Sequence, residues 1–386
     1  MRCTFFFISI ALAAKHQLFV GNLYWPPTLH AVEFDDVTHE FRKLASQPVA
    51  APHSWLALSH DKKSLYGTSI NATSISSYRV TSPSTVELVR TINATGNCFN
   101  TTSAFIQGTV VPPYTVISAS WPGPLWPAPR GCGMSFAIDA EDSSLTEVLD
   151  TWAYTNNSSP HGIDIREVEG NTVVYATDLS ADGVWAHSID KPTGRAATLF
   201  HEQTEAKSHP RHLRIHPGGK YLYVLLESAN AIIEYRVNEK TGVIVNQTSR
   251  WSLLPEERRD ENKDYWSAEV MLSKSSRYLW ATARAQSNTT FVGYINAFLL
   301  DNEGRIAKTM FRVPTTTGGG TANAISPAEF SDEYAVMTNL PRGYVEMFKM
   351  EGPKQGKHGL EYTTARPVGK VDINDGGCCA NAVWYS

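Results

Sequence analysis

Four residues that could take part in acid–base chemistry lie at the ends of apolar segments. Glu227 closes the run YLYVLLE, and Arg284 closes the similar run YLWATAR. His161 and Arg211 each follow a proline that opens another apolar segment. Histidine and glutamate can exchange protons during catalysis, and a charged group is costly to bury without a partner. We therefore take His161, Arg211, Glu227 and Arg284 as the candidate site residues.

A repeat of about 50 residues must position these side chains. Short apolar runs that end in small or polar residues recur 47 to 59 residues apart. Their central residues, here called anchors, are Phe19, Tyr66, Val116, Tyr175, Tyr223, Trp280 and Val336. A period near ~50 residues, with several short strands in each unit and no clear amphipathic helix, is typical of a β-propeller. Seven anchors predict an all-β chain with seven blades.

A second recurring piece precedes several anchors. Pro52-His53, Pro160-His161 and Pro210-Arg211 each open an apolar strand 12 to 14 residues before an anchor. We interpret these as innermost strands and the anchors as second strands, which form hairpins. The start of the first strand and the end of the second then lie on the same face. His53, His161, Arg211, Glu227 and Arg284 are thus expected at one mouth of the central channel.

The two ends of the chain are predicted to share a blade. The sequence Ala-Asn-Ala-Ile at 322–325 opens the last full blade, and Ala-Asn-Ala-Val at 380–383 repeats it near the C-terminus. The C-terminal segment should therefore supply the innermost strand of the blade whose other strands begin at His16, which would leave no free sheet edge at the seam. We assign residues 15–386 to a single seven-bladed β-propeller.

Composition and the N-terminus indicate the compartment and the class of partner. Arg2, the apolar run 5–12 and Ala-Leu-Ala at 11–13 predict a signal peptide over residues 1–14. Glycosylation sequons, which are used in the secretory pathway, occur at Asn71, Asn93, Asn100, Asn156, Asn157, Asn246 and Asn288. No later segment reaches the ~20 apolar residues of a membrane span. We expect a secreted, N-glycosylated, soluble protein.

The net charge of −4, with both signs interspersed, indicates neither a nucleic-acid nor a membrane partner.

Beyond the signal, the cysteines are Cys98, Cys132, Cys378 and Cys379, an even number that suits disulfides in an oxidising compartment. Three pairings are possible. If Cys98 pairs with Cys132, the adjacent pair is either free or joined as a vicinal disulfide. The cysteine spacing lacks the paired Cys-x-x-Cys units that zinc sites usually show.

The candidate residues also have structural explanations. Glu227 and Arg284 could be an ion pair that sets the angle between two blades, and His161 could bond to backbone. His209, His212 and His216 suggest a metal site by their closeness in sequence. Few carboxylates lie within reach and the strand parity is mixed, so we interpret them as polar ends of a surface strand. We predict no metal and no cofactor.

Several ordered segments resemble one enzyme family. They are LFVGNLYWPPTLHAVEFDD at 18–36, HGI at 161–163, HPRH at 209–212, LLESAN at 225–230, ARAQ at 283–286, SPAEFSDEYAVMTN at 326–339 and NAVWYS at 381–386. Together they resemble the fungal 3-carboxy-cis,cis-muconate lactonizing enzymes, or carboxy-cis,cis-muconate cyclases, of the lactonase family of seven-bladed propellers. The resemblance spans nearly all of the chain after the signal.

The resemblance implies a metal-free cycloisomerase in which a substrate carboxylate adds across a conjugated double bond to form a lactone. The family's proposed site residues match His161, Arg211, Glu227 and Arg284. The arginines would bind carboxylates and offset the developing charge, and His161 or Glu227 would deliver a proton. We favour His161 as the donor, with Glu227 tuning it or orienting Arg284.

Two other functions remain open from the sequence. One is a secreted lactone hydrolase on the same scaffold, in which His161 or Glu227 would activate water and an arginine would stabilise the oxyanion. The other is a non-catalytic binding propeller, because this fold hosts many functions. The expected partner is a small carboxylate or lactone in each enzymatic case. The sequence does not indicate the oligomeric state.

Overall fold

Seven four-stranded antiparallel sheets follow one another along the chain in the computed structural model, which describes residues 14–122, 130–286 and 289–386. They form an all-β, seven-bladed propeller, so the predicted fold class and blade number are confirmed. A short two-stranded hairpin, formed by residues 354–356 and 359–361, is inserted between the third and fourth strands of the last blade and contacts blade six.

The strands are as follows, in chain order. Blades one to three contain β1 (Lys15–Asn22), β2 (Thr28–Asp35), β3 (Phe41–Pro48), β4 (Trp55–Leu58), β5 (Ser64–Thr68), β6 (Ser74–Ser82), β7 (Thr85–Asn93), β8 (Thr102–Gly108), β9 (Val116–Trp121), β10 (Cys132–Ile138) and β11 (Leu145–Ala153). Blades four and five contain β12 (Pro160–Val168), β13 (Asn171–Asp178), β14 (Gly183–Ile189), β15 (Ala196–Gln203), β16 (Pro210–Ile215), β17 (Tyr221–Leu226), β18 (Ala231–Val237) and β19 (Ile244–Ser252). Blades six and seven contain β20 (Tyr265–Leu272), β21 (Tyr278–Ala285), β22 (Tyr294–Leu300), β23 (Ile306–Pro314), β24 (Ile325–Pro327), β25 (Tyr334–Asn339), β26 (Tyr344–Glu351), β27 (Lys354–Gly356), β28 (Gly359–Glu361) and β29 (Thr364–Asp372), and β30 (Cys378–Trp384) returns to blade one. Two 3₁₀ helices, Gly96–Cys98 and Glu256–Asp264, lie in connections.

The seven anchors all lie in second strands, as predicted. These strands are almost entirely buried because each blade is covered on both faces by its neighbours. All six residues of β17 are buried, for example. Tyr223 of that strand packs in the same apolar cluster as Leu279 of β21 in the next blade. The core of the molecule therefore lies between blades, and it holds the ends of the second strands in fixed positions.

The innermost strands are irregular near their beginnings. The pairing of β12 with β13 shifts between Pro160 and Ile163, that of β16 with β17 shifts around Arg211, and that of β20 with β21 shifts between Ser267 and Val270. An extra residue in one strand of an antiparallel pair changes the direction in which nearby side chains point. In three consecutive blades, these bulges turn side chains out of the blade and toward the channel.

The C-terminal strand closes the ring, which confirms the predicted seam. β30 pairs with β1 through Leu18 with Trp384 and Val20 with Ala382. The strand begins at Cys378, two residues before the predicted start. The backbone N–H of Gln17 also donates to Ser386 Oγ at 3.0 Å. Blade one is therefore built from both ends of the propeller.

The cysteines form two disulfides. Cys98 pairs with Cys132. Cys378 and its neighbour Cys379 are joined as a vicinal disulfide and are therefore not free. All four are buried. Disulfide bonding is thereby confirmed, and the second bridge lies at the start of the closing strand.

Only some of the residues on which the prediction of secretion rests are described by the structure. The signal-peptide prediction covers residues 1–14, of which 1–13 lie outside the described residues, and the sequon residue Asn288 lies outside them too. Asn71 is half-buried and donates its amide to the Leu23 carbonyl at 2.9 Å. Five sequon asparagines are exposed: Asn93, Asn100, Asn156, Asn157 and Asn246. Within the described ranges, no helix has the length and apolar character needed to cross a membrane.

Candidate active site

A cavity of about 240 Å³ opens where the innermost strands begin, and residues of all seven blades line it. All four candidate residues, His161, Arg211, Glu227 and Arg284, lie on its wall. So do Leu23, Ile70 and Leu179, which stand four residues after their anchors, as Glu227 and Arg284 do. The repeat therefore brings the predicted residues together, and their catalytic role remains a prediction.

Glu227 joins the two arginines. Its Oε2 lies 3.0 Å from Arg211 Nε and 2.8 Å from Arg284 Nη2. The Glu227 backbone is itself fixed, because its N–H donates to His209 and its carbonyl accepts from Ser267 in the next blade. Two guanidinium groups against one carboxylate leave a net positive charge in this cluster, which suits an anionic ligand.

Arg284 is held almost rigidly despite its charge, and only 2% of its side chain is exposed. Its guanidinium donates to the carbonyls of Trp266 at 3.3 Å and Ser267 at 3.4 Å, and also to the carbonyl of Thr321. The guanidinium carbon lies 4.2 Å from the centre of the Trp266 ring. Burial, followed by the nearby Arg211 charge, lowers the pKa of Arg284 to about 9, so it stays protonated at neutral pH.

His161 presents one ring nitrogen to the cavity. Its Nδ1 lies 3.0 Å from Nε2 of His212, and the ring meets Trp121 edge-on at 5.3 Å. Nε2 has no hydrogen-bond partner in the described part of the chain, and it is left for a ligand. Burial, followed by the charge of Arg211, lowers the pKa of His161 well below its ordinary value. The imidazole is therefore neutral at physiological pH.

His53 occupies the equivalent position in blade two but does not reach the cavity, contrary to expectation. Its Nε2 lies 2.7 Å from Tyr78 Oη, and the side chain is buried inside the blade. The ring packs so tightly on Gly67 that a Cβ there would lie 2.5 Å from the His53 ring. The space left by this glycine admits the imidazole into the blade.

The interpretation of His212 as part of a surface strand end is wrong. The side chain is completely buried, with Nδ1 2.6 Å from Glu269 Oε1. Its ring meets Trp55 and Phe105 edge-on at 5.1 and 5.5 Å, and those two rings stack on each other. The bulge at Arg211 is the reason, because it lets two consecutive residues leave the usual alternation. His209 and His216 do lie nearer the surface, half-buried.

Glu269 was not predicted as a site residue from the sequence, although the pattern that identified Glu227 applies to it as well. It is a carboxylate within the apolar strand β20, and its side chain is completely buried. Burial raises the pKa of Glu269 to about 7. Among the described residues, no group of three or more His, Cys, Asp or Glu side chains is arranged to hold a metal ion.

The rest of the cavity wall is mostly apolar, and its polar residues are Ser54, Thr321 and two asparagines, one of which is unusual. Trp55, Trp121 and Trp266 supply flat aromatic surfaces. Asn323 is fully buried, and within the described residues neither its amide nitrogen nor its amide oxygen has a hydrogen-bond partner. Buried amides are normally paired, so Asn323 is a candidate contact for a bound ligand. Such a wall suits a small, flat molecule that carries anionic groups.

Comparison with known proteins places these features in a family. The family described as "Lactonase, 7-bladed beta-propeller" matches residues 26–319, more than half of the chain. The carboxy-cis,cis-muconate cyclase of Neurospora crassa is 29% identical over 395 aligned positions, covering 96% of this chain and 99% of the relative. Muconate cycloisomerase 1 of Cutaneotrichosporon cutaneum is 25% identical and covers 93% of each chain.

Solved structures agree with the fold. The periplasmic gluconolactonase of Pseudomonas aeruginosa superimposes with a TM-score of 0.73 and 16% sequence identity, over 97% of this chain and 99% of that one. At that identity the likeness supports the arrangement of blades and not a shared substrate.

Proposed function

Because this chain belongs to the lactonase family of seven-bladed β-propellers, we propose that it is a cycloisomerase that closes an unsaturated polycarboxylate of the carboxy-cis,cis-muconate type into a lactone. The names of two relatives, a carboxy-cis,cis-muconate cyclase and a muconate cycloisomerase, support this assignment. Each of them covers at least 93% of the chain.

One observation carries the proposal: two guanidinium groups, fixed by a single carboxylate, stand beside a neutral histidine in a largely apolar cavity. Arg211 Nη2 has no hydrogen-bond partner among the described residues and can donate to a substrate carboxylate. Arg284 is engaged by three carbonyls and Glu227, and it adds a fixed positive charge beside Arg211. Trp55, Trp121 and Trp266 can cover the flat conjugated chain between the carboxylates. A divalent or trivalent conjugated acid matches both features.

The reaction needs these groups in a definite order. An oxygen of one substrate carboxylate forms a bond to an alkene carbon, and the π electrons move toward the carbon next to a second carboxylate. Negative charge then builds up on the oxygens of that second carboxylate, where a fixed guanidinium stabilises it. A proton must be added to the carbanionic carbon, so each lactone formed takes up one proton.

His161 is the residue we assign as proton donor, and Glu227 as the residue that orients both arginines. Glu227 contacts Arg211 and Arg284, and its carboxylate is already engaged by both of them. His161 has Nε2 free for the cavity. Of the two roles considered for Glu227, orientation of the arginines fits its contacts.

The decisive experiment follows the loss of ultraviolet absorbance when purified protein is mixed with carboxymuconate, with the product identified by NMR. We expect a lactone, and we expect Arg284→Ala to lose about 10²–10³-fold in kcat/KM. Arg312→Ala is the matched control, since Arg312 donates to the Ser252 carbonyl at 2.7 Å and does not line the cavity. It should retain full activity.

Inertness of the folded wild type toward every muconate tested would overturn the proposal. Acid release from small lactones, with muconates untouched, would instead establish the lactone hydrolase. Tolerance of Arg284→Ala in a biological assay, without any turnover, would favour a binding propeller.

We also propose that the protein is secreted and N-glycosylated. The two disulfides and the exposed asparagines of five sequons support this. Expression in a eukaryotic secretory host should yield protein in the medium whose mass falls on treatment with an N-glycosidase. Retention of the whole product inside the cell, without glycans, would contradict it.

A further inference from the structure

We propose that Glu269, His212 and His161 form a proton relay that supplies the cavity with the proton consumed in lactone formation. The inference rests on the proposed function, and it assigns a role to two buried residues outside the cavity wall. Neither His212 nor Glu269 contacts a substrate in this scheme. Both act through His161, as positioning residues.

The three side chains form an unbroken line across three neighbouring blades. Glu269 Oε1 lies 2.6 Å from His212 Nδ1, and His212 Nε2 lies 3.0 Å from His161 Nδ1. His161 lines the cavity, and its Nε2 has no hydrogen-bond partner among the described residues. The residues come from β20, β16 and β12, each at or beside the bulge of its strand. The bulges thus create the line.

A relay solves a difficulty in the chemistry of His161. Burial and neighbouring positive charges disfavour an imidazolium there, so the histidine cannot simply hold an extra proton. A neutral imidazole can still donate from Nε2 if it gains a proton at Nδ1 during the same event. His212 Nε2 is the group that lies within hydrogen-bond distance of that atom.

Before the reaction the relay is in a loaded state, in which its protons have one arrangement. Glu269 is a neutral acid that donates from Oε1 to His212 Nδ1. His212 donates from Nε2 to His161 Nδ1, and His161 carries its proton on Nε2, toward the substrate carbon. When that carbon accepts the proton, each donor passes its own proton one place along the line.

The discharged relay contains a Glu269 carboxylate and two neutral histidines in the opposite tautomers. No imidazolium appears in either state. After the product leaves, one proton from cavity water restores the loaded state by the same steps in reverse. The overall balance is one solvent proton for each lactone formed.

The surroundings of Glu269 keep the two states close in energy. Its Oε1 also accepts from the Val270 backbone at 3.2 Å, while its buried Oε2 has no partner among the described residues, which disfavours the carboxylate. The charges of Arg214 and Arg211 on β16 and of Arg284 on β21 favour the carboxylate.

The neighbouring strands add two more groups to this balance. On β12, Asp164 is engaged by the Ile215 backbone at 2.8 Å. Arg211 Nη1 lies 3.2 Å from His212 Nε2 and can donate to it only in the discharged state. The pKa of Glu269, raised by burial to about 7, is consistent with a proton that is exchanged at neutral pH.

A purely structural network of the same three residues predicts different behaviour. It would join three blades and would not couple the protonation of Glu269 to turnover. The test therefore measures the rate of lactone formation against pH for the wild type and for Glu269→Gln, which cannot ionise. Glu234→Gln is the matched control, because Glu234 is equally buried and binds Thr248 Oγ1 at 2.6 Å outside the cavity.

We expect wild-type kcat to fall about tenfold for each pH unit above ~7 as the relay discharges. Glu269→Gln should lose roughly 10–100-fold in kcat at pH 6, keep its KM and lose the alkaline decline. Glu234→Gln should keep the wild-type profile. The relay is refuted if Glu269→Gln reacts with an unchanged kcat and an unchanged alkaline decline.

A measurement without substrate separates this inference from the proposed function. In the ¹⁵N NMR spectrum of the wild type, the ring nitrogens of His161 and His212 should exchange tautomers as the pH crosses neutrality. His187 should not change, since it is buried against Tyr154 and burial lowers its pKa to about 4. Tautomer exchange without muconate turnover would support the relay and overturn the cyclase, and turnover without tautomer exchange would overturn the relay alone.

Discussion

Replacing Glu227 by glutamine isolates the orientation of the two arginines, because the change keeps the size of the side chain and removes only its charge. In the native protein, one carboxylate oxygen accepts a hydrogen bond from Arg284 at 2.8 Å and forms an ion pair with Arg211 Nε at 3.0 Å. Hydrogen bonds to charged groups contribute about 1.5–3 kcal/mol and neutral ones about 0.5–1.5 kcal/mol. The weakened hydrogen bond and the lost ion pair should together cost about 2 kcal/mol of folding stability.

The two arginines should respond unequally. Arg284 keeps three carbonyl acceptors and its place over the Trp266 ring. Arg211 keeps the Ala268 carbonyl at 2.5 Å and its contact with His212. With Glu227 neutral, the two guanidinium charges repel each other without a shared counter-charge. Arg211 should thus move more, away from its productive position.

The kinetic result should be a split between kcat and KM. A misplaced guanidinium stabilises the transition state less, and displacement of about 1 Å can cost ~10²-fold, so we expect kcat to fall about 10–100-fold. The cavity becomes more positive, so KM for a polycarboxylate should stay constant or fall. The assay is the absorbance loss of carboxymuconate over a range of concentrations, with the melting temperature of each variant measured in parallel.

Three observations would refute this reasoning. A tenfold rise in KM at constant kcat would mean that Glu227 contacts the substrate directly. A loss beyond ~10⁴-fold that aspartate does not partly restore would mean that Glu227, and not His161, donates the proton. A variant within twofold of the wild type in kcat would mean that the arginines need no anchor. Glu234→Gln again controls for the loss of a buried carboxylate.

Two predictions concern stability. Deleting residues 380–386 removes most of β30 and exposes the edge of β1, so we expect a loss of more than roughly 5 kcal/mol and no cooperative melting transition. Deletion of 385–386 alone is the control, and an unchanged melting temperature in the longer deletion would contradict the seam. Glu269 has a folded-state pKa raised from 4.5 to about 7, so its stabilising effect is complete below pH 4.5 and is lost as the pH rises through 7. Relative to Glu269→Gln, the wild type should lose roughly 3 kcal/mol of unfolding free energy between pH 4.5 and pH 8, measured by urea denaturation, and a constant difference would argue against a buried titrating acid.

The repeat made the fold predictable from the sequence. Second strands are covered on both faces, so each one leaves an apolar run such as YLYVLL that can be aligned with the others. Counting from the anchors also placed Glu227 and Arg284 correctly, because equivalent positions of a propeller lie on one face. The duplicated Ala-Asn-Ala motif similarly revealed the closing strand.

Positions near bulges were harder to predict. Alternation along β16 would place Arg211 and His212 on opposite sides, and the bulge cancels that rule. His53 failed for another reason: the space that receives its ring is created by Gly67, a residue on a different strand. Neither effect can be read from the local pattern, since each depends on how two strands meet.

The pairing of β1 with β30 also has a consequence for synthesis on the ribosome. Some 356 residues separate Asn22 from Cys378, so at ~5–20 residues per second β1 is made roughly 20–70 s before its partner. The other six blades are each formed from consecutive residues and can fold as they emerge. During that interval the first blade carries an unpaired edge, which can pair with another nascent chain. Slow translation of the last blade should therefore increase aggregation more than an equal pause in the first.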